Sequence, residues 1–60
     1  MKIDELEDGQ LVKHVLDGRW IVILQVAEPI HREPSFSGRY VDGNGVYHVQ
    51  IFYPEEVVPI

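Results

Sequence analysis

The run Trp20–Ala27, WIVILQVA, constrains the fold more than any other part of the chain. Its β-branched and aromatic content suits a strand, and the run is too short and too branched for a helix. Alternate side chains of a strand face opposite ways. Trp20, Val22, Leu24 and Val26 therefore share one face, and Ile21, Ile23, Gln25 and Ala27 the other. A half-exposed antiparallel strand is polar on one face. Here both faces are apolar at the centre, so both need cover.

The flanking signals are those of strands and turns. QLVKHVL is rich in β-formers and ends at Asp17-Gly18, a pair that predicts a type I′ hairpin turn, with positive φ at both central positions. Its register stays open, because Leu11/Val15 and Val12/Leu16 both make sensible inward sets. Pro29 and Pro34 hold EPIHREPS extended and predict an exposed loop. FSGRYV reads as a third strand in which Gly38 permits a bend or bulge. Asp42-Gly43-Asn44-Gly45 supplies a second tight turn of residues that tolerate left-handed backbone. In VYHVQIFY, Tyr47, Val49, Ile51 and Tyr53 face one way, and His48, Gln50 and Phe52 the other. Pro54 opens a 3₁₀ turn through Glu55 and Glu56, and VVPI closes the chain as a short edge strand. The expected fold is all-β: an SH3-like small barrel of about five short strands, with a 3₁₀ turn before the last. It forms one domain over residues 1–60, with 1–9 an acidic lead-in packed through Ile3 and Leu6, and 10–60 the barrel.

Sixty residues without cysteine have neither disulfide nor thiolate metal site to supplement a small core. The start, MKIDELED, is acidic and lacks the apolar segment of a signal peptide, and the longest apolar run, Trp20–Leu24, is far short of a membrane span. A cytoplasmic location without membrane contact is expected. Ten acidic residues against five basic give a net charge of −5, and Lys2, Lys13, Arg19, Arg32 and Arg39 are scattered rather than clustered. Nucleic-acid binders need a basic face to displace counterions from phosphates, so nucleic acid is a disfavoured partner.

Gly9, Leu11-Val12, Asp17-Gly18, the strand from Trp20, Arg39-Tyr40, Asp42-Gly43 and Pro54-Glu55-Glu56-Val57 follow one another in an order that resembles the YodC-like small bacterial proteins of unknown function. The resemblance covers roughly residues 9–60 and rests on turns and strand spacing. It implies an SH3-like barrel and carries no catalytic residue across. The size and style also suit a bacterial or phage source.

Three histidines, His14, His31 and His48, invite a zinc reading, yet none has a neighbour at ligand-pair spacing. Glu55 and Glu56 are adjacent on a turn, where neighbouring carboxylates diverge, and nothing surrounds them to shift their pKa. Gly43-Asn44-Gly45 lacks the lysine and following helix of a phosphate loop. Ser35 and Ser37 lack a nucleophile setting. No enzymatic activity, metal or cofactor is expected.

A docking surface is the stronger expectation. Ile21, Ile23 and Phe52 lie opposite larger apolar sets on their strands, and burying each is worth roughly 1.5–3 kcal/mol. That is large beside the ~5 kcal/mol or less a core this small supplies. They are covered by the lead-in and the barrel itself, by a second copy, or by another protein. The expected function is a non-enzymatic protein-interaction module that self-associates or docks on a partner through Ile21, Ile23 and Phe52, with Ile30, His31, Arg32 and Glu33 as a variable contact loop. The alternative is a small barrel associated with nucleic acid. An aromatic rim of Trp20 and Tyr40 with Asp42 as counter-charge is a further binding reading, since small barrels hold proline-rich or cationic ligands in this way.

Overall fold

The computed structural model describes residues 1–27 and 34–60. Five antiparallel strands form one sheet: β1 (Leu11–His14), β2 (Trp20–Ala27), β3 (Ser35–Val41), β4 (Tyr47–Phe52) and β5 (Val57–Pro59). Single 3₁₀ turns occur at Ile3–Glu5 and Pro54–Glu56. The strand order is β4-β3-β2-β1-β5, so β1 pairs with both its sequence neighbour and the last strand. This order, with a 3₁₀ turn feeding the final strand, makes the protein an SH3-like small barrel. No helix among the described residues is long and apolar enough to cross a membrane.

The sheet curls until distant strands meet. His14 on β1 and Phe52 on β4 lie 6.1 Å apart between ring centroids. In a flat sheet three strand spacings would separate them by about 14 Å. Inside the curl, Leu6, Val12, Ile21, Ile23, Phe36, Phe52 and Val57 form one buried cluster, with Met1, Ile3, Val26 and Tyr40 packed against it. The lead-in is stitched to β2: Gly9 N–H donates to Ile23 O at 2.7 Å, and Ile23 N–H to Gln10 O at 2.9 Å. Asp8 Oδ1 accepts from Val26 N–H at 3.1 Å.

The face assignment is the main correction. Ile21, Ile23 and Phe52 are not a surface: they are 0%, 0% and 1% exposed. On β4 and the first half of β2 the greasier side points outward, because the inward side meets Phe36, Val12, Val57 and Leu6 from the other walls of the curl. A register shift between Ile23 and Gln25 breaks the simple alternation of β2. The extra residue turns the strand over, as a β-bulge does. Phe52, Phe36 and Val26 then form one inward row and Ile51, Ser37 and Gln25 one outward row. In β1 the open register resolves to Val12 inward. The strand stops at His14, so Leu16, 88% exposed, stands on the turn rather than in the core.

The first hairpin differs from its type I′ expectation, and the second is built in the same way. Neither Asp17 nor Asn44 has positive φ; only Gly18 (+72°) and Gly45 (+80°) do. Each loop is therefore a tight turn followed by one left-handed glycine, the arrangement of longer hairpin loops. Asp42 N–H donates to Val46 O at 3.0 Å, and Gly45 N–H to Asp42 O at 3.1 Å, closing the second loop. Gly38 pairs with Ile23, where the register shift of β2 begins. Its missing side chain admits Ile21 and the Phe52 ring, against which a Cβ would lie at 2.5 and 2.9 Å.

Candidate docking surface

The outward rows of the sheet place apolar side chains side by side. One row runs Val49, Arg39, Val22 and Leu11 across four strands in direct register. Val41 lies opposite Tyr47 in the next row. At the β4 edge this produces Tyr47, Val49 and Ile51 at 66%, 63% and 60% exposed. Trp20, Leu24, Leu11 and Val41 are also exposed. Exposed leucines and valines scattered singly need no explanation, whereas three in line on one strand form a patch. Arg39 lies over the Tyr47 ring at 5.0 Å, bringing a cation to the middle of the strip.

The strip ends at an unguarded edge. β4 pairs with β3 alone, so its far side presents backbone N–H and C=O groups with no ladder partner among the described residues. Natural sheets blunt such edges with charges, proline, bulges or short strands. The other edge, β5, follows that rule, being three residues long with Pro59 in it. β4 does not. Tyr47-His48-Val49-Gln50-Ile51-Phe52 contains no charged residue and no proline, and its pairing with β3 runs without a register shift.

The predicted aromatic rim divides. Trp20 belongs with Val22 on the outer face, while Tyr40 shares the inner face with Gly38 and Phe36. Tyr40 is already occupied: its ring stacks on His48 at 5.2 Å, meets Phe52 edge-on at 6.2 Å, and carries the Arg19 guanidinium 4.2 Å from its centroid. Its hydroxyl donates to Gln50 Oε1 at 3.1 Å. Tyr40 and Asp42 do come together, through His48, but the face an exogenous cation would need is held by Arg19. Ile30, His31, Arg32 and Glu33 lie outside the described residues.

Asp42 serves its own hairpin. His48 Nε2 donates to Asp42 Oδ2 at 2.7 Å, and Asn44 and Val46 N–H donate to Oδ1 at 2.8 and 3.1 Å. The His48 bond, followed by the two backbone donors, lowers the Asp42 carboxyl from 3.8 to about 2. A folded pKa below the unfolded one means the carboxylate stabilises the fold fully above the unfolded value. That contribution disappears as pH falls from about 3.8 towards 2. Asp42→Asn should therefore lower Tm by a few degrees at pH 7, with the gap to the native chain closing by pH 2. A gap of equal size at both pH values would show that the charge is not what matters.

His14 is held separately. Its Nδ1 accepts from Leu16 N–H at 3.2 Å, so the neutral ring carries its proton on Nε2, 3.5 Å from Glu56 Oε2. Glu56 also caps the second 3₁₀ turn by accepting from Tyr53 N–H at 2.9 Å. The two described histidines thus have different partners. An open groove of about 380 Å³ lies between the lead-in and the second 3₁₀ turn, lined by Met1, Lys2, Ile3, Pro34, Pro54 and Glu55. Its two titratable side chains, Lys2 and Glu55, are exposed.

Sequence reasoning missed Tyr47, Val49 and Ile51 as a surface because they were the more apolar half of their strand. The available signal was the absence of any charge or proline across β4, an omission that a solvent-facing edge rarely shows. Comparison with known proteins found no matching family model, no matching curated protein and no matching solved structure.

Proposed function

We propose that the protein is a non-enzymatic interaction module that docks on protein through the outer face and free edge of β4, with Tyr47, Val49 and Ile51 at the centre of the contact. One observation carries this reading: three large apolar side chains stand in line, mostly exposed, on a strand edge that lacks any guarding residue. Sheet edges bind extended partners by main-chain hydrogen bonds, and alternate side chains supply selectivity. The core needs none of the three, because Phe36, Phe52 and their neighbours already fill it. The YodC-like resemblance is compatible with such an accessory role and assigns no residue to it.

The test compares the immobilised native chain with Val49→Lys/Ile51→Lys for retention of proteins, free copies of the chain included. Both positions are exposed, so the variant should keep the native circular dichroism spectrum. The reading expects retention by the native chain to be lost in the variant at ordinary salt. Equal retention by both contradicts it. Retention restricted to nucleic acid at low salt, fading as salt rises, would favour the nucleic-acid alternative instead.

A further inference from the structure

Independently of that reading, we propose that Asn44 is a site of covalent self-modification: the backbone nitrogen of Gly45 displaces its side-chain amide, and the β3–β4 loop passes to aspartyl and isoaspartyl forms. Asn44 is the chain's single asparagine, it is exposed, and glycine follows it. Glycine matters because the attacking nitrogen must reach Asn44 Cγ, and a side chain on the next residue would stand in the way. Nothing lies within 4 Å of where a Cβ would be at Gly45, so no neighbouring element crowds that residue either.

Water is the co-reactant the step needs. It takes the proton of Gly45 N–H, the nitrogen bonds to Asn44 Cγ, and the Cγ–Nδ2 bond breaks. Nδ2 takes a proton back from water and leaves as ammonia, so a cyclic imide remains. A further water opens the imide at either carbonyl. Opening on one side gives aspartate. Opening on the other gives isoaspartate, whose main chain runs through Cβ and Cγ.

Asp8-Gly9, Asp17-Gly18 and Asp42-Gly43 could form the same imide by losing water, but each of those carboxylates is engaged. Asp8 Oδ1 accepts from Val26 N–H at 3.1 Å, and Gly9 N–H is tied to Ile23 O at 2.7 Å. Asp17 Oδ1 accepts from Arg19 N–H and Oδ2 pairs with the Arg19 guanidinium, both at 3.0 Å. Asp42 accepts from Asn44, Val46 and His48, and its carboxyl is lowered to about 2. An ionised carboxylate repels a nucleophile and offers no leaving group. The Asn44 amide is neutral, and no described residue holds it; Asn44 is bonded through its backbone N–H alone.

The remaining restraint is on the nucleophile. Gly45 N–H donates to Asp42 O at 3.1 Å. That bond lies at an exposed hairpin tip, where local opening costs little. The products add a negative charge two residues from Asp42, and isoaspartate lengthens the backbone inside the loop that Gly45 and Val46 close onto Asp42. The change therefore falls at the entry to β4.

The native chain and Asn44→Gln are incubated at neutral pH, folded and in urea, and followed by ion exchange, with peptide mapping by mass spectrometry to place each change. Glutamine at this exposed position keeps the fold, while its cyclisation needs a larger ring that closes more slowly. The folded native chain should gain an acidic species, mapped to Asn44, at a rate within about tenfold of that in urea, because loop tips open at little cost. Asn44→Gln should give none, and the Asp8, Asp17 and Asp42 peptides should stay unchanged. A folded chain slowed by more than that overturns the proposal, since the hairpin would then protect the amide. An acidic species of equal size in Asn44→Gln overturns it too, as does isoaspartate at any of the three aspartates before Asn44 has reacted.

Discussion

Phe52→Ala should leave the chain unfolded at 25 °C, while Ile51→Ala, one residue earlier, should leave it folded. Phe52 is 1% exposed and is the aromatic hub of the interior. It stacks on Phe36 at 5.6 Å between centroids and meets Tyr40 and His14 edge-on at 6.2 and 6.1 Å. Those contacts join β4 to β3 and, across the curl, to β1. Phenylalanine-to-alanine substitutions in a core cost about 3–5 kcal/mol, through lost burial and the cavity left behind. A chain of this length holds roughly 3–5 kcal/mol in all. The loss matches the total, so the strand signal in circular dichroism should vanish. Ile51 points to the opposite side of the same strand and is 60% exposed. Its truncation removes almost no buried area, and at a concentration where the chain is monomeric the spectrum should be native. Similar behaviour of the two variants would mean that β4 has been assigned the wrong face.

Gly38→Ala should be nearly as damaging, although it adds only a methyl group. Gly38 has no left-handed φ, so alanine meets no backbone strain there. In open space the change would stabilise the fold slightly by restricting the unfolded chain. Here the new Cβ would lie 2.5 Å from Ile21 Cγ2 and 2.9 and 3.0 Å from two Phe52 ring carbons. Both neighbours are fully packed, so neither can swing into solvent. Overpacking of this kind costs about 1–3 kcal/mol. In a domain this small each kcal/mol moves Tm by about 4–8 °C, so the shift should exceed that of any surface change. Gly43→Ala is the matched control: nothing lies within 4 Å of its Cβ, and its φ is not positive. That variant should melt at or slightly above the native temperature. If Gly38→Ala does the same, the close approach of β2, β3 and β4 at this point is not real.

The elements were legible because each carries its chemistry locally. Asp17-Gly18 and Asp42–Gly45 end strands by turn preference, Pro54 starts a 3₁₀ turn, and Pro59 marks an edge. The direction of the faces was not local. Nothing within WIVILQVA says that Ile21 and Ile23 meet Gly38 and Phe36, since that depends on residues far along the chain. The bulge falls on β2 between Ile23 and Gln25, opposite the Gly38-Ser37 step of β3, whereas the sequence placed it on the glycine's own strand. His48 and Gln50 share a face with Phe52, which made that face read as solvent-facing. Both are exposed as well as engaged, His48 by Asp42 and Gln50 by Tyr40. Polar groups that find partners at a barrel mouth look, in sequence, like polar groups facing water. The surface of β4 was misread for the converse reason, since an interaction face is apolar without being core.

The central claim is that these sixty residues hide their own core and leave the edge of β4 for a partner. Residue-resolved amide hydrogen exchange at low and high protein concentration tests it most directly. The core amides of β2 and β3 should exchange slowly at both concentrations, whereas the outward amides of β4 should exchange fast in the monomeric chain. Slow exchange of those β4 amides in a monomeric chain, or core amides whose protection depends on concentration, would contradict the account.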